Sequence, residues 1–522
     1  MLPGLLSDGN PLTMHADYKL FQKHLEPSEE ELRHQTEEWQ SWPFRPLLNI
    51  VTAVCSPPLR VFEETIRSVL NQTYGGWLWT IVDASADDSI WKILTELAQR
   101  DLRVRPIRLE KNHGISRNTN VALERAEGDY IVLLDHDDQL APHALYSVAE
   151  VVLKHPEVDF IYSDADKLDE SGHRCEPLFK PDWSPEMMLS FNLLSQLSVF
   201  KRRWLDLIGY LNPELDGAQD WDLFLRITEK TRHVFHIPRI LYHWRKISGS
   251  TASSAENKSN VRQAQIDAVT NHLVRTGIQE PLVEFDFTHS IYRVYPRVKW
   301  KPSKKRLISI IIPTKDQSEL LRKCLNSLFR LDSSCEYEVL LVDTGSTEKS
   351  TQLLYDSLSQ ENRLRVLHFR ELFNFGKACN FGARDARGEL LLFLNNDTEF
   401  LQPDGLDRMA QWFDREKVAI VGAKLLYPGE RIQHAGVIVG MGGLASHLFL
   451  NEREEIRTIF GFDVCYRNLS AVTGACLMIA RAVFEELGGF DEEFQLNYSD
   501  VDLCLRARQL EYRVVYTPDA RL

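Results

Sequence analysis

One short pattern occurs twice in this chain, and that repetition limits what the chain can fold into more than any other feature. Gly128-Asp-Tyr-Ile-Val-Leu-Leu-Asp-His-Asp-Asp138 is echoed by Gly388-Glu-Leu-Leu-Leu-Phe-Leu-Asn-Asn-Asp-Thr398, 260 positions further on. The same offset aligns Ile81-Val-Asp83 with Leu341-Val-Asp343 upstream. Downstream, Gly209-Tyr210 matches Gly489-Phe490, and Gln219-Asp-Trp-Asp-Leu223 matches Ser499-Asp-Val-Asp-Leu503, at an offset of 280. A period this long means two tandem domains rather than a solenoid, with about twenty extra residues in the second copy.

Each copy centres on an apolar run too short for a typical helix. Ile131 to Leu134 read as a buried strand, and Asp135, Asp137 and Asp138 stand where it must end. Leu47 to Val54, Trp77 to Val82, Val104 to Leu109 and Val158 to Tyr162 read as further strands. Val61 to Leu70, Pro142 to Leu153 and Val261 to Thr276 read as helices. That alternation predicts α/β domains with a parallel sheet and helices on both faces. Met187 to Phe200 reads as an amphipathic stretch, and Gly249-Ser-Thr-Ala-Ser-Ser254 as flexible by composition. The second domain restarts at Leu307-Ile-Ser-Ile-Ile-Ile312. The expected organisation is a helical N-terminal extension over 1–45, a first domain over 46–280, a linker over 281–306 and a second domain over 307–522. In the extension, Pro27 to Trp39 has the capping and charge pattern of an exposed helix. The basic run Lys299 to Arg306 reads as a solvated part of the linker.

Composition removes several function classes. The net charge of −14 argues against nucleic acid as the main partner, because phosphate binding wants a basic face. Eight cysteines show no CxxC pair and no metal-ligand spacing, so they read as reduced thiols of a cytoplasmic chain. The N-terminus lacks the pattern of a signal peptide and no window has the apolar length of a membrane span. At most a peripheral contact with the inner face of the cytoplasmic membrane is expected. No glycine-rich phosphate loop of the GxGxxG or GxxxxGK type is present.

Three carboxylates within four positions repel one another unless a cation neutralises them, and an acid-x-acid spacing offers oxygen ligands to one hard divalent ion. An isolated DxD is more often a solvated acidic turn; repetition at matching places shifts that balance toward a metal–diphosphate site. In open α/β sheets ligands sit at such carboxyl ends.

With these motifs in view the chain resembles the family 2 glycosyltransferases, with two tandem GT-A domains of the Rossmann-like, nucleotide-diphospho-sugar transferase type, as in bacterial enzymes for O-antigen, capsule and similar surface polysaccharides. The resemblance rests on Ser68-Val-Leu-Asn-Gln-Thr-Tyr74, Val132-Leu-Leu-Asp-His-Asp-Asp138, Phe179-Lys-Pro-Asp-Trp-Ser-Pro185, Thr473-Gly-Ala-Cys476 and Gly488-Gly-Phe-Asp491. It implies a metal-dependent, inverting transferase that takes UDP- or dTDP-sugars and extends a glycan or lipid-linked glycan acceptor. It further implies that Asp83 and Asp343 touch the nucleotide, with Asp135 and Asn395 also on the donor. Asp137, Asp138, His243 and Asp397 would hold Mn²⁺ or Mg²⁺. The base position of the family falls on Asp220 and Asp500, although Gln219 and Ser499 replace the acid that usually precedes it. A base is needed because a sugar hydroxyl is a poor nucleophile until its proton is taken; the competing reading of both residues is a helix N-cap. Asp222 and Asp502 read as braces of the following helix. Trp183, Trp221 and Trp244 could stack on acceptor sugars, and Thr473 and Gly474 fall on the acceptor side; packing is the commoner role for such aromatics.

The second copy aligns Pro518 with Pro238, and the sequence ends at Leu522, just before a counterpart of His243 would appear. The second domain is therefore expected to be C-terminally truncated and impaired. Asn395 supports a related alternative, one active domain beside a degenerate, acceptor-binding one; a non-catalytic carbohydrate-binding protein is the other alternative.

Overall fold

The computed structural model describes residues 11–246, 255–285, 295–454 and 462–522. The chain forms two compact units. Unit 1 takes the residues up to Trp183 together with Asn192–His272; unit 2 takes Ser184–Phe191 and Leu273–Leu522.

Unit 1 contains strands β1 (Leu48–Val54), β2 (Trp77–Asp83), β3 (Val104–Arg108), β4 (Tyr130–Leu133), β5 (Gln139–Leu140), β6 (Phe160–Leu168), β7 (Arg174–Leu178), β8 (Ser198–Lys201) and β9 (Val234–Arg245). They form one sheet of order β3-β2-β1-β4-β8-β6-β9-β5, with β7 beside β6. The first four strands are mutually parallel, as the apolar runs predict. β8, however, runs antiparallel to both β4 and β6, so the sheet is mixed rather than parallel. The helix Leu59–Leu70 presents Phe62, Thr65, Ile66 and Val69 to the core at helical spacing. The repeated glycine has a steric reason: a Cβ on Gly128 would lie 2.7 Å from the Leu47 carbonyl oxygen, and one on Gly388 would lie 2.6 Å from that of Leu307.

Unit 2 contains β10 (Leu282–Phe285), β11 (Pro296–Lys299), β12 (Leu307–Thr314), β13 (Glu336–Asp343), β14 (Leu364–His368), β15 (Leu390–Leu394), β16 (Val418–Tyr427), β17 (Arg431–His434), β18 (Val437–Val439), β19 (Ala445–His447), β20 (Arg467–Asn468), β21 (Cys476–Ala480) and β22 (Arg513–Arg521). Its main sheet, β14-β13-β12-β15-β21-β16-β22-β20, repeats the order of unit 1 as far as the last strand.

Several boundaries differ from those expected. The N-terminal segment is part of unit 1. Tyr18 is buried and donates to Asp166, Arg174 pairs with Glu26, Thr73 donates to Gln35 at 3.0 Å, and Trp39 and Trp42 pack on Tyr74. The Ser28–Glu31 capping box forms as its sequence predicts. The stretch over 281–306 is structured: β10 pairs with β11, Val298 and Trp300 are buried, Lys299 meets Asp404 and Arg306 meets Asp414. The amphipathic stretch Met187 to Phe200 is no single element, since a 3₁₀ turn Met187–Leu189 is followed by loop and then β8. The Gly249–Ser254 segment lies outside the described residues. Among the described residues no helix is long and apolar enough to cross a membrane.

Within unit 2, Glu186 is fully buried between Arg415 at 3.1 Å and Arg513 at 3.0 Å. Burial opposes its ionisation, and the two guanidinium groups overcome that and hold its carboxyl below the ordinary 4.5. Glu186→Ala leaves two arginines without their anion, and a loss of about 3–5 kcal/mol is expected. Hydrogen exchange of the β16 and β22 amides measures it. The stabilisation is complete above the ordinary glutamate value and fades as pH falls through the lowered one, so the gap between wild type and Glu186→Gln should narrow in acid.

Candidate active site

β2 delivers Asp83 and β4 delivers the acidic loop to the same end of parallel neighbours of β1. Asp83 is fully buried; one oxygen accepts the Ser85 N–H at 2.9 Å and the other pairs with Arg108. This fixes the carboxylate at the strand end.

The three acids of the loop have different fates. The Asp135 carboxyl is open to solvent, yet the protein around it, then the charges of Asp137 and Asp220, raise it to about 6. Asp137 is half-buried and its carboxylate accepts no hydrogen bond among the described residues. Asp138 is fully buried, taking the Tyr242 hydroxyl on one oxygen at 2.6 Å and the Arg245 N–H on the other at 2.7 Å. The expectation that Asp138 ligates a metal is therefore corrected: its oxygens tie the loop to β9. Arg245 completes the clasp by donating to the Asp137 carbonyl at 2.9 Å and pairing with Glu64 at 2.6 Å.

His243 is not gathered with these acids into a ligand set. Its Nδ1 lies 2.5 Å from Asp166, a buried carboxylate that also meets Arg174 and Tyr18. Among the described residues no three histidine, cysteine or acidic side chains form a group able to hold a metal ion.

Asp220 begins the helix Gln219–Thr228. Burial raises its carboxyl, while N–H groups of the helix start and the Asn192 amide, at 2.9 Å, work the other way. Its charge reaches Asp135, so the acidic loop and this helix start converge. Asp222 braces as expected, holding Arg226 at 2.8 Å, and Arg226 in turn donates to the Ile208 and Tyr210 carbonyls. Trp221 is buried and packs in the core, Trp183 is half-buried, and Trp244 is 42% exposed under the Lys167 ammonium.

Unit 2 repeats the frame with other side chains. Asp343, at the end of β13, accepts from Ser346 at 3.0 Å and faces Tyr355 and His368 at 3.3 Å. The Asn395 backbone is pinned by Ala475 and Thr398, Asn396 donates to Thr314 at 3.0 Å, and Asp397 is exposed. Asp500 accepts the Gly474 N–H at 2.7 Å and the Val501 N–H at 2.9 Å, which places Gly474 against it, while the Thr473 hydroxyl accepts the Ala475 N–H at 3.3 Å. Asp502 holds Arg506 at 2.7 Å as Asp222 holds Arg226. Asn192, Tyr242 and Asp166 were not identifiable in advance: Asn192 and Tyr242 touch the acids only through sequence separations of 28 and 104.

A family model described as glycosyl transferase family 2 matches residues 56–200 and 309–488. The uncharacterized protein y4gI of Sinorhizobium fredii is 38% identical over 483 residues, which is 91% of this chain and 53% of that protein. The O-antigen biosynthesis protein RfbC of Myxococcus xanthus is 40% identical over 480 residues, 92% of this chain and 37% of that protein. The chain thus spans about half or less of these curated relatives. Among solved structures, S. aureus TarS 1-349 in complex with UDP-GlcNAc aligns with 45% of this chain and 68% of its own at a TM-score of 0.38 and 18% identity.

The different fates of two neighbouring acids are testable. Asp138→Ala strands the Tyr242 hydroxyl and the Arg245 N–H, and a loss of at least about 2 kcal/mol is expected. Asp137→Ala should stay within about 0.5 kcal/mol of wild type. Thermal melting followed by circular dichroism separates them.

Proposed function

This chain belongs to glycosyl transferase family 2, and on that premise we propose that it transfers sugars from UDP- or dTDP-linked donors to a bacterial cell-surface glycan, by single displacement with inversion. The observation that carries the reading is the convergence of Asp135, Asp137 and Asp220 at the carboxyl end of the unit 1 sheet, with the same frame built again in unit 2. The likeness to RfbC, named for O-antigen biosynthesis, supports this acceptor class. A family enzyme of this kind would work at the inner face of the cytoplasmic membrane.

Asp83 and Asp343 are the proposed contacts to the nucleoside, as rigid acceptors at matching strand ends. Asp220 and Asp500 are the proposed bases. The acceptor hydroxyl loses its proton to the carboxylate as its oxygen bonds to the anomeric carbon, and the nucleoside diphosphate leaves with the electron pair of the broken bond. The raised carboxyl of Asp220 suits that task, because a more basic carboxylate takes a proton more readily.

The residues present fit a divalent cation in unit 1. Asp135 and Asp137 are neighbouring carboxylates, the charge of Asp137 helps to raise Asp135, and neither carboxylate has an internal partner that would compete for a metal. Asp138 does not fit. A bound Mn²⁺ or Mg²⁺ would neutralise charge on the departing diphosphate. In unit 2 Asp397 is the corresponding carboxylate and Asn395 a neutral oxygen donor. A second reading, one active unit and one that only binds acceptor, is favoured by that asparagine.

Calorimetry with UDP or dTDP and Mn²⁺ tests the proposal. Two sites per chain are expected, one abolished by Asp137→Ala and the other by Asp397→Ala, each with at least a tenfold loss of affinity. A single site lost only in Asp137→Ala would select the second reading, and a chain that binds no nucleotide would overturn both.

A further inference from the structure

The motif Phe179-Lys-Pro-Asp-Trp-Ser-Pro185 lies apart from the strand-end acids in sequence, yet it puts a charged side chain inside unit 1. Lys180 is 6% exposed. Its ammonium donates to the Ser195 carbonyl and, at 2.7 Å, to that of Gln196, while its backbone N–H donates to Asp164 at 2.8 Å. Around it stand the Tyr162 ring, with its centroid 5.8 Å from the ammonium, and Asp164, which also meets His236 at 2.9 Å. His236 in turn faces Asp182 at 3.3 Å. Burial pushes the ammonium down to about 7, and the Asp164 charge acts against that shift. Among the described residues no carboxylate pairs directly with this cation, so it is a costly way to fill space. What it supplies is donors: two successive carbonyls of a buried loop turn to one side, and an ammonium has the N–H bonds to meet both.

Those carbonyls belong to the loop that holds Asp220. The loop runs from Asn192 to Gln196, with Leu193, Leu194 and the following Leu197 buried, and the Ser195 hydroxyl donates to the Asn192 carbonyl at 3.0 Å. At its start the Asn192 amide donates to one Asp220 oxygen at 2.9 Å. An ionised carboxylate only accepts, so the amide nitrogen faces Asp220. The amide oxygen is buried without a hydrogen-bond partner among the described residues. An amide anchored at one end takes its aim from the backbone that carries it, and that backbone is the stretch Lys180 pins. In unit 2 the support is shorter, because Asp500 takes the Gly474 and Val501 N–H groups directly.

We propose that Lys180 and Asn192 are positioning residues of the unit 1 base, Lys180 fixing the loop and Asn192 the direction of the Asp220 carboxylate. This rests on the transferase reading above. The two carboxylate oxygens offer about four acceptor sites between them, so the bonds from Asn192 and the helix start still leave room for the acceptor's proton. Each link from the Lys180 ammonium to Asp220 is a hydrogen bond or a few residues of loop backbone.

Steady-state kinetics of unit 1 test the role, with Asp397→Ala silencing the donor site of unit 2. Turnover is read as nucleoside diphosphate release from a panel of UDP- and dTDP-hexoses with Mn²⁺, water serving as acceptor. Asn192→Ala should lower kcat about tenfold or more, and Lys180→Met about fivefold or more, each with the donor KM within about twofold of wild type. Because both act through one loop, the double variant should stay within about twofold of Asn192→Ala, whereas independent effects would multiply. Ser195→Ala cuts the bond to the Asn192 carbonyl and leaves the ammonium in place; it should lower kcat by about two- to fivefold, and it carries the test if Lys180→Met does not fold. An unchanged kcat in Asn192→Ala, or in both Lys180→Met and Ser195→Ala, overturns the positioning role. So do effects that multiply, or a donor KM that rises in step with the fall in kcat. A unit 1 that binds UDP and releases no nucleoside diphosphate from any donor overturns the transferase reading, and this role with it.

Discussion

Three carboxylates share one loop at the end of a buried strand in unit 1, and burial with the charges of Asp135 and Asp137 holds the Asp138 carboxyl well above the ordinary range, against the pull of the two donors that clasp it, Tyr242 and Arg245. One acid is taken out of the solvent-facing set and given two donors from β9. That leaves Asp135 and Asp137 facing outward without internal partners, in reach of Asp220. The clasp also fixes β9 to the acidic loop, so the strand that closes the sheet and the loop that would meet the donor are positioned by the same bonds. A carboxylate that looks like a ligand by its spacing is here the support of the two beside it.

Unit 2 shows what the frame needs when that crowding is relaxed. Asn395 and Thr398 stand where Asp135 and Asp138 stand in unit 1, and the Thr398 hydroxyl simply donates to the Asn395 carbonyl at 2.8 Å. Asp397 is the one carboxylate left at the three matching positions, with Glu399 two residues on, and both are exposed. The differences between the units instead collect on the base side. Asp220 is held by an asparagine amide, whereas Asp500 is held by the backbone N–H groups of Gly474 and Val501. The braces behind the two bases, Asp222–Arg226 and Asp502–Arg506, are alike because each must fix the same helix start against the glycine-containing turn before it.

Much of the frame was legible because it is local. The apolar runs of β1, β2, β4 and β12, the amphipathic helix Leu59–Leu70 and the Ser28 capping box are set by residues within a turn or a strand length of each other. The strand-end acids were legible for the same reason, and their repetition at a fixed offset made chance agreement a poor account. Misreadings came where partners are distant. The stretch over 281–306 looks like a linker by composition, but its apolar residues Val298 and Trp300 find a core more than a hundred residues away, where Trp300 meets Gln411 and Trp412. The segment around Glu186 shows no periodicity that would betray two arginines at positions 415 and 513.

By itself the sequence determined that there are two domains of one kind, that each ends a strand in polar oxygen donors, and that each starts a late helix with an aspartate. Those follow from hydrophobic period and from repetition, both of which are written along the chain. Only the tertiary structure decided which aspartates remain available for chemistry. Asp137 and Asp138 are neighbours of the same type, and no local rule distinguishes them; the difference lies in Tyr242 and Arg245, brought across by sheet pairing. His243 likewise takes its partner from β6, where Asp166 sits opposite it in register, because a hydrogen bond to a buried carboxylate depends on which strands pair.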